Sequence, residues 1–167
     1  MNENNKIEKI TADAFIALYN LKNKSKYIII SYSDAPDIRC KDDSDNIFNF
    51  EITLTEDRPG DIQALLNRSD HKTSQSLSTH KCKGSSCLQS NVIETVVSRI
   101  QKKLDKDYGP NTALVVRDTT PTPWNWQNVI DQIGSDLDLS RNPFDRGIWV
   151  ISNTLDKIYE ILPDNKQ

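Results

Sequence analysis

Two acidic residues, Asp37 and Glu51, are of a type and spacing that could bind a divalent metal ion. Asp37 follows a proline in SDAPD, and Glu51 lies inside the apolar segment NIFNFEITL, where an unpaired carboxylate would be costly to bury. Carboxylate oxygens suit Mg²⁺ and Mn²⁺, and such an ion activates water beside a phosphate. The pair therefore predicts a Mg²⁺ or Mn²⁺ site. Each residue alone also fits a simpler role, Asp37 in a turn and Glu51 on a solvent-exposed sheet face.

A second group of metal-binding residue types lies in the polar segment 67–90, NRSDHKTSQSLSTHKCKGSSCLQS. Its possible Zn²⁺ ligands are His71, His80, Cys82 and Cys87. The spacing is unlike that of common zinc sites, because no second close cysteine pair is present. We therefore interpret the segment as a polar loop or insertion, with a structural zinc site as the alternative.

Basic residues that could contact a phosphate backbone are concentrated in RIQKKLDK, where they are Arg99, Lys102 and Lys106. A charged helix face exposed to solvent is the alternative explanation of this run. Trp124 and Trp126 could stack on bases, although one of two aromatic residues at this spacing usually packs inward.

The elements that must position these residues alternate between helices and strands. Helical spacing of apolar residues predicts a helix over 7–21, with Ile7, Ile10, Phe15 and Leu21 in its apolar stripe, and KYIIISY predicts a buried strand over 26–32. Alternation in DNIFNFEITLTED places Glu51 on the more polar face of a strand, after a hairpin turn at 42–46.

The second half of the chain continues this alternation. A stripe of apolar residues predicts the clearest helix over 91–109, and a later helix is predicted to have Thr122 as its cap and Pro123 at its first position. Strands are predicted over 112–118, 146–152 and 157–162. The whole order predicts an α/β fold, a mixed sheet flanked by helices in a single domain over 1–167, with a loose tail at 163–167.

Composition limits the functions that fit. The net charge of −3 counts against a protein that binds nucleic acid over its whole surface, so any such contact must be local. Apolar runs are too short for a membrane helix, and the first residues lack a secretory pattern. Three cysteines do not make a disulfide framework, and Cys40 is expected to be half-buried. These observations favour a cytoplasmic protein without membrane contact.

The order of elements, with Pro36-Asp37 before one strand and Glu51 on the next, resembles the core of the PD-(D/E)XK nucleases, the restriction-endonuclease-like fold. That core is a helix, a three-stranded meander, a helix and a further strand, and the resemblance covers residues 5–120. It implies that Asp37 and Glu51 are catalytic metal ligands and that the backbone carbonyl of Ile52 is a third ligand. It also implies that Glu8, on the first helix, can join the metal site.

One position departs from the pattern of this family. The family has a lysine two residues after the second acid, where this chain has Thr53. Some branches of the family carry the lysine on the following helix instead. At about 100° per residue, Lys103 borders the apolar stripe of that helix, whereas Lys102 points to solvent. We therefore expect Lys103 to reach towards Glu51 and to act as the catalytic lysine.

These expectations lead to functions of different classes. The first is a metal-dependent nuclease that hydrolyses phosphodiester bonds, with DNA favoured over RNA as its substrate and a homodimer as its expected assembly. The second is a catalytically inactive domain of the same fold that binds protein or nucleic acid, which Thr53 and the negative net charge favour. The third is a zinc-stabilised interaction domain.

Overall fold

The computed structural model describes residues 3–55, 85–119 and 125–162. Within these ranges the helices and strands follow one another in the predicted order. They are α1 (Glu3–Asn23), β1 (Ile28–Tyr32), β2 (Ile38–Lys41), β3 (Ile47–Leu54), α2 (Ser85–Leu104), β4 (Thr112–Arg117), α3 (Trp126–Asp136), β5 (Ile148–Ile151) and β6 (Ile158–Ile161).

All six strands belong to one mixed sheet, in the order β1-β2-β3-β4-β5-β6. The first three strands form an antiparallel meander. Strands β4 and β5 run parallel to β3, because a helix returns the chain before each of them, and β6 closes the sheet as an antiparallel hairpin partner of β5. The predicted α/β architecture, a mixed sheet flanked by helices, is therefore confirmed.

The two faces of the sheet are covered by different helices. On one face α1 packs Phe15 and Tyr19 against Phe48 and Phe50 of β3. On the other face α2 and α3 enclose a second core, to which β4 contributes Leu114 and Val116. Because successive strand residues alternate between faces, Glu51 is directed to the α2 side of the sheet.

Three predictions about burial in the first 40 residues are wrong. The core face of α1 consists of Ala12, Phe15, Ile16 and Tyr19, whereas Ile10 and Leu21 of the predicted stripe are exposed. Strand β1 is exposed as well, with Ile28 60% accessible, because it forms the edge of the sheet. Cys40, expected to be half-buried, is fully buried in the α1 core.

The bounds of two helices differ from the predicted ones. Helix α2 begins at Ser85, inside the segment interpreted as a polar loop, and ends at Leu104 rather than near Gly109. Helix α3 begins at Trp126 with Asn125 in the N-cap position. The proposed cap at Thr122 and Pro123, and the predicted tail at 163–167, lie outside the described residues.

None of the described helices combines the length and the apolar character needed to cross a bilayer.

Candidate metal and phosphate site

Asp37 and Glu51 lie side by side on neighbouring strands. In the antiparallel ladder of β2 and β3, Ile38 is opposite Phe50. The same register places Asp37, the residue before β2, opposite Glu51. The Oδ2 atom of Asp37 accepts a hydrogen bond from the backbone N–H of Ile52 at 2.7 Å. This bond fixes the Asp37 carboxylate against β3, directly beside the position of Glu51.

Glu51 is buried and paired with a lysine from α2. The Nζ atom of Lys103 donates a hydrogen bond to Oε1 of Glu51 at 2.7 Å. The Glu51 side chain is 7% exposed and that of Lys103 is 23% exposed. Lys102, the neighbouring residue, is exposed. The structure thus brings together the three residues that the sequence analysis selected as catalytic.

Several buried polar atoms around this pair have no hydrogen-bond partner among the described residues. They are Oε2 of Glu51, Oδ1 of Asn49 and the hydroxyl of Tyr108, and Nε of Arg117 is a further one on β4. Asn49 lies two residues before Glu51 and therefore on the same face of β3. Buried polar atoms are normally paired with protein, water or an ion. The unpaired oxygen of Glu51 is thus suited to an additional ligand.

Acidic groups outnumber basic groups among the described residues of the site. Burial raises the pKa of Asp37 to about 7, the nearby carboxylates of Glu51 and Glu8 add to the effect, and the Ile52 N–H and Lys103 oppose it. Burial also raises the pKa of Glu8, as does the charge of Glu51, against the opposing charge of Lys103. Three carboxyl groups thus share one ammonium group, which is the electrostatic setting that favours a divalent cation.

Lys103 remains cationic in this setting. Burial of its ammonium opposes the charge, but the hydrogen bond and the charge of Glu51 outweigh burial, so that the pKa of Lys103 is raised. Burial raises the pKa of the neighbouring Tyr108, and the charge of Lys103 and a side-chain contact with it oppose that rise. The ring of Tyr108 stacks on Phe144 with 5.0 Å between the ring centroids. The Tyr108 ring is therefore held in place while its hydroxyl is left without a partner of normal geometry among the described residues.

The donors present fit a hard divalent cation. No three His, Cys, Asp or Glu side chains group closely enough to hold a metal within the described ranges, so Glu8 does not complete a three-carboxylate set. Mg²⁺ commonly binds through one or two carboxylates and keeps several waters. The N–H and C=O of a strand residue face the same edge of the strand, so we expect the Ile52 carbonyl to face Asp37.

The strand position two residues after Glu51 is occupied by a buried threonine. Thr53 is 9% exposed and lies on the same face of β3 as Glu51. It pairs with Val116 of β4, a member of the core beneath α2. The positive charge beside Glu51 therefore comes from helix α2 and not from β3.

The remaining predicted site residues lie elsewhere or are not described. Arg99 is half-buried, and Lys102 and Lys106 are exposed on or just after α2. His71, His80 and Cys82 fall outside the described residues, as does the side chain of Cys87, so the zinc prediction stays a prediction.

Of the two alternatives for the tryptophan pair, base stacking and inward packing, Trp126 takes the second. Trp126 is 1% exposed, and its Nε1 atom donates to Oδ2 of Asp118 at 2.8 Å. Trp126 is therefore a core residue, and its indole N–H is paired with a carboxylate that is also buried. Trp124 lies outside the described residues.

Three residues near the site were missed by sequence reasoning. Asn49 could have been identified as a site residue because it lies on the same face of its strand as Glu51. Arg39 could have been identified in the same way, because it follows Asp37 by two residues. Tyr108 was assigned to the apolar stripe of a helix. Nothing in the sequence indicates that its hydroxyl lacks a partner, since this depends on which groups surround it.

Comparisons of this chain with protein-family models, curated proteins and solved structures give no significant match.

Proposed function

We propose that this chain is a metal-dependent nuclease of the PD-(D/E)XK superfamily, with the restriction-endonuclease-like fold, which hydrolyses phosphodiester bonds of nucleic acid. One observation carries the proposal. Lys103 is paired with the buried Glu51 beside Asp37, while the second carboxylate oxygen of Glu51 has no partner among the described residues. The helix, meander, helix and strand that precede β5 also agree with the order of that family's core.

Each residue has a separate role in this proposal. Asp37, Glu51 and the Ile52 carbonyl would hold Mg²⁺ or Mn²⁺, which would supply an activated water and offset charge on the phosphate. Glu8 adds negative charge near these ligands. Lys103 uses one ammonium N–H for Glu51, which leaves two donors to orient the attacking water and to stabilise negative charge on the phosphate.

The proposed substrate is DNA in preference to RNA. The negative net charge restricts contact with the nucleic acid to local basic groups, among which Arg99, Lys102 and Lys106 on the α2 side are candidates. A homodimer and a cytoplasmic location remain predictions from the sequence.

A second candidate function is a nuclease-like domain without catalysis that binds protein or nucleic acid. Thr53 supports it, because the residue type that the family uses at this position is missing. In this case the contact between Lys103 and Glu51 would only neutralise a buried carboxylate.

Cleavage of labelled single-stranded and duplex DNA and RNA tests the first candidate against the second. The assay compares Mg²⁺, Mn²⁺ and chelator for the wild-type protein, Glu51→Gln and Lys103→Met. Glu94→Gln and Lys157→Met are matched controls, because both residues are exposed and neither is a candidate for contact with metal or nucleic acid. Metal-dependent cleavage that is lost in the two site variants and kept in both controls supports the nuclease. Cleavage by folded Lys103→Met at the wild-type rate would refute the role of Lys103, and no cleavage by any folded protein would favour the binding domain.

A further inference from the structure

One part of the sheet surface next to the candidate site is not covered by any of the described helices. No side chain of β1 or β2 belongs to the core that α2 and α3 form on this face, as far as the structure describes the chain. Ile28 and Ile30 of β1 are 60% and 44% exposed. The face is therefore open between the edge strand β1 and the start of β3, immediately beside Glu51.

Strand register arranges the residues of this open face in rows. Asp37 and Glu51 form the first row. The next row along the strands is Ser31, Arg39 and Asn49, because Ser31 pairs with Arg39 and Arg39 pairs with Asn49. Two residues along a strand span about 6.6–6.8 Å. The row that contains Arg39 thus lies one side-chain spacing from the two candidate metal ligands.

Among the described residues of this surface, Arg39 is a cation without a charged partner. Its side chain is exposed and has no ion pair or hydrogen bond within the described part of the chain. Lys41, the next basic residue on the same face, is held at 2.9 Å by Asp45 in the β2–β3 turn. Arg39 therefore remains available although carboxylates lie nearby, and a guanidinium group suits phosphate oxygens.

Asn49 supplies a second, independent observation. It lies opposite Arg39 in the ladder, where facing Cβ atoms are about 4.5–5.5 Å apart. Its Oδ1 atom is buried and has no partner among the described residues. This oxygen can accept one guanidinium N–H, which would leave the other donors of Arg39 directed outwards to a phosphate.

We propose that Arg39, positioned by Asn49, binds the phosphate next to the one that is cleaved, so that the nucleic acid strand runs along β2 and β3 over the open sheet face. The inference rests on the proposed function, since it takes Asp37 and Glu51 as the place of the scissile phosphate. It differs from the sequence-based prediction, which assigned backbone contacts to the basic residues of α2. It also explains how an acidic chain can bind nucleic acid through a local contact.

Binding of short fluorescein-labelled single-stranded and duplex DNA, measured by anisotropy, tests this inference. The titrations use the full chain with Ca²⁺ and again with chelator, between about 50 and 200 mM salt. Arg39→Gln is compared with Arg141→Gln, an exposed arginine between α3 and β5. We expect Arg39→Gln to weaken binding about tenfold and to reduce the slope of log K against log salt by about 0.7–0.9, the value of one phosphate contact. Arg141→Gln is expected to leave both quantities unchanged. We expect Asn49→Ala to weaken binding less than Arg39→Gln does, since Asn49 acts through the arginine.

The outcomes separate this inference from the nuclease proposal. Arg39→Gln with wild-type affinity and salt slope refutes the phosphate contact, even where Glu51→Gln abolishes metal-dependent cleavage. A wild-type protein that binds neither the single-stranded nor the duplex DNA refutes the phosphate contact as well. Weakened binding by Arg39→Gln supports the contact even where the wild-type protein cuts nothing, and in that case the nuclease proposal fails alone.

Discussion

The ion pair between Lys103 and Glu51 makes a quantitative prediction about folding stability. Lys103→Met keeps most of the side-chain length and removes the ammonium, so that Oε1 of Glu51 loses its partner. Both carboxylate oxygens are then unpaired among the described residues, in a side chain that is 7% exposed. Removing one member of a buried ion pair costs about 3–5 kcal/mol. Because Lys103 is itself 23% exposed and water can enter the space it leaves, we expect the lower end, about 3 kcal/mol.

The reverse deletion is expected to cost less. In Glu51→Gln the amide keeps a hydrogen-bond acceptor near Lys103, and the ammonium can turn outwards on its long side chain. We expect this variant to lose about 1 kcal/mol in the free energy of unfolding. The double variant should lose little more than Glu51→Gln alone, since no buried charge is left unpaired. The coupling energy of the cycle is therefore about 3 kcal/mol.

Urea unfolding followed by circular dichroism at neutral pH measures the free energy of unfolding of the wild-type protein, the two single variants and the double variant. Lys102→Met is the control, because it makes the same substitution one residue earlier at an exposed position, where we expect a change within about 0.5 kcal/mol. In thermal unfolding, the Lys103→Met loss corresponds to a melting temperature about 6–12 °C lower. A Lys103→Met variant as stable as Lys102→Met, or single effects that add within about 0.5 kcal/mol, would refute the buried pair.

Three further predictions concern the same site. The pKa of Asp37 is raised to about 7, so the folded protein holds the proton of this carboxyl more tightly than the unfolded chain does. The protonated Asp37 therefore contributes fully to stability below about pH 4, and this contribution is lost as the pH rises through 7. Asp37→Asn should therefore remove a fall in unfolding free energy of at most about 1.4 kcal/mol per pH unit, and an unchanged pH profile in urea titrations would contradict the assigned proton. Mg²⁺ at 100 times its dissociation constant should raise the unfolding free energy of the wild-type protein by about 2.7 kcal/mol, but not that of Glu51→Gln, with Glu94→Gln as the control. Tyr108→Phe keeps the ring stacked on Phe144 and removes a hydroxyl that has no partner of normal hydrogen-bond geometry among the described residues, so urea unfolding should show a change within about 0.5 kcal/mol; a loss of more than about 1 kcal/mol would show that the hydroxyl is paired.

The order of elements was predictable from the sequence because each element carries its own periodicity. The alternation of Phe48 and Phe50 with polar residues fixed the orientation of β3, and the α1 core confirms it. The burial of β1 was not predictable in the same way. An apolar run looks alike in a central strand and in an edge strand, and the position of β1 at the edge is decided by the pairing of all six strands.

Helix boundaries show a related limit. The stretch from Ser85 has little apolar periodicity, so the sequence assigned it to a loop, yet it forms the first turns of α2. At the other end, the backbone leaves the helix at Leu104, and Tyr108 is nevertheless buried. The sequence could place Tyr108 in the interior because of its type and spacing, but it could not separate a helix residue from one that follows the helix.

The candidate site was predictable where it depends on local geometry. The angular position of Lys103 on α2 is a property of one helix, and it was enough to predict its direction towards the sheet. The unpaired atoms of Asn49 and Tyr108 depend on which groups three separate segments bring together. No single periodicity contains that information.

The burial of position 53 on β3 explains why the lysine that pairs with Glu51, Lys103, lies on α2 and not on the strand. Thr53 is 9% exposed and pairs with Val116 beneath α2, so a lysine at this position would have to place its ammonium within an apolar core or displace the helix. From α2, the Lys103 side chain reaches Glu51 from the border of the helix and remains 23% exposed. The same charge is therefore supplied to the same carboxylate at a lower desolvation cost. Thr53→Lys combined with Lys103→Met tests this argument: we expect it to unfold more easily than Lys103→Met alone, and a double variant more stable than Lys103→Met would show that β3 can carry the lysine.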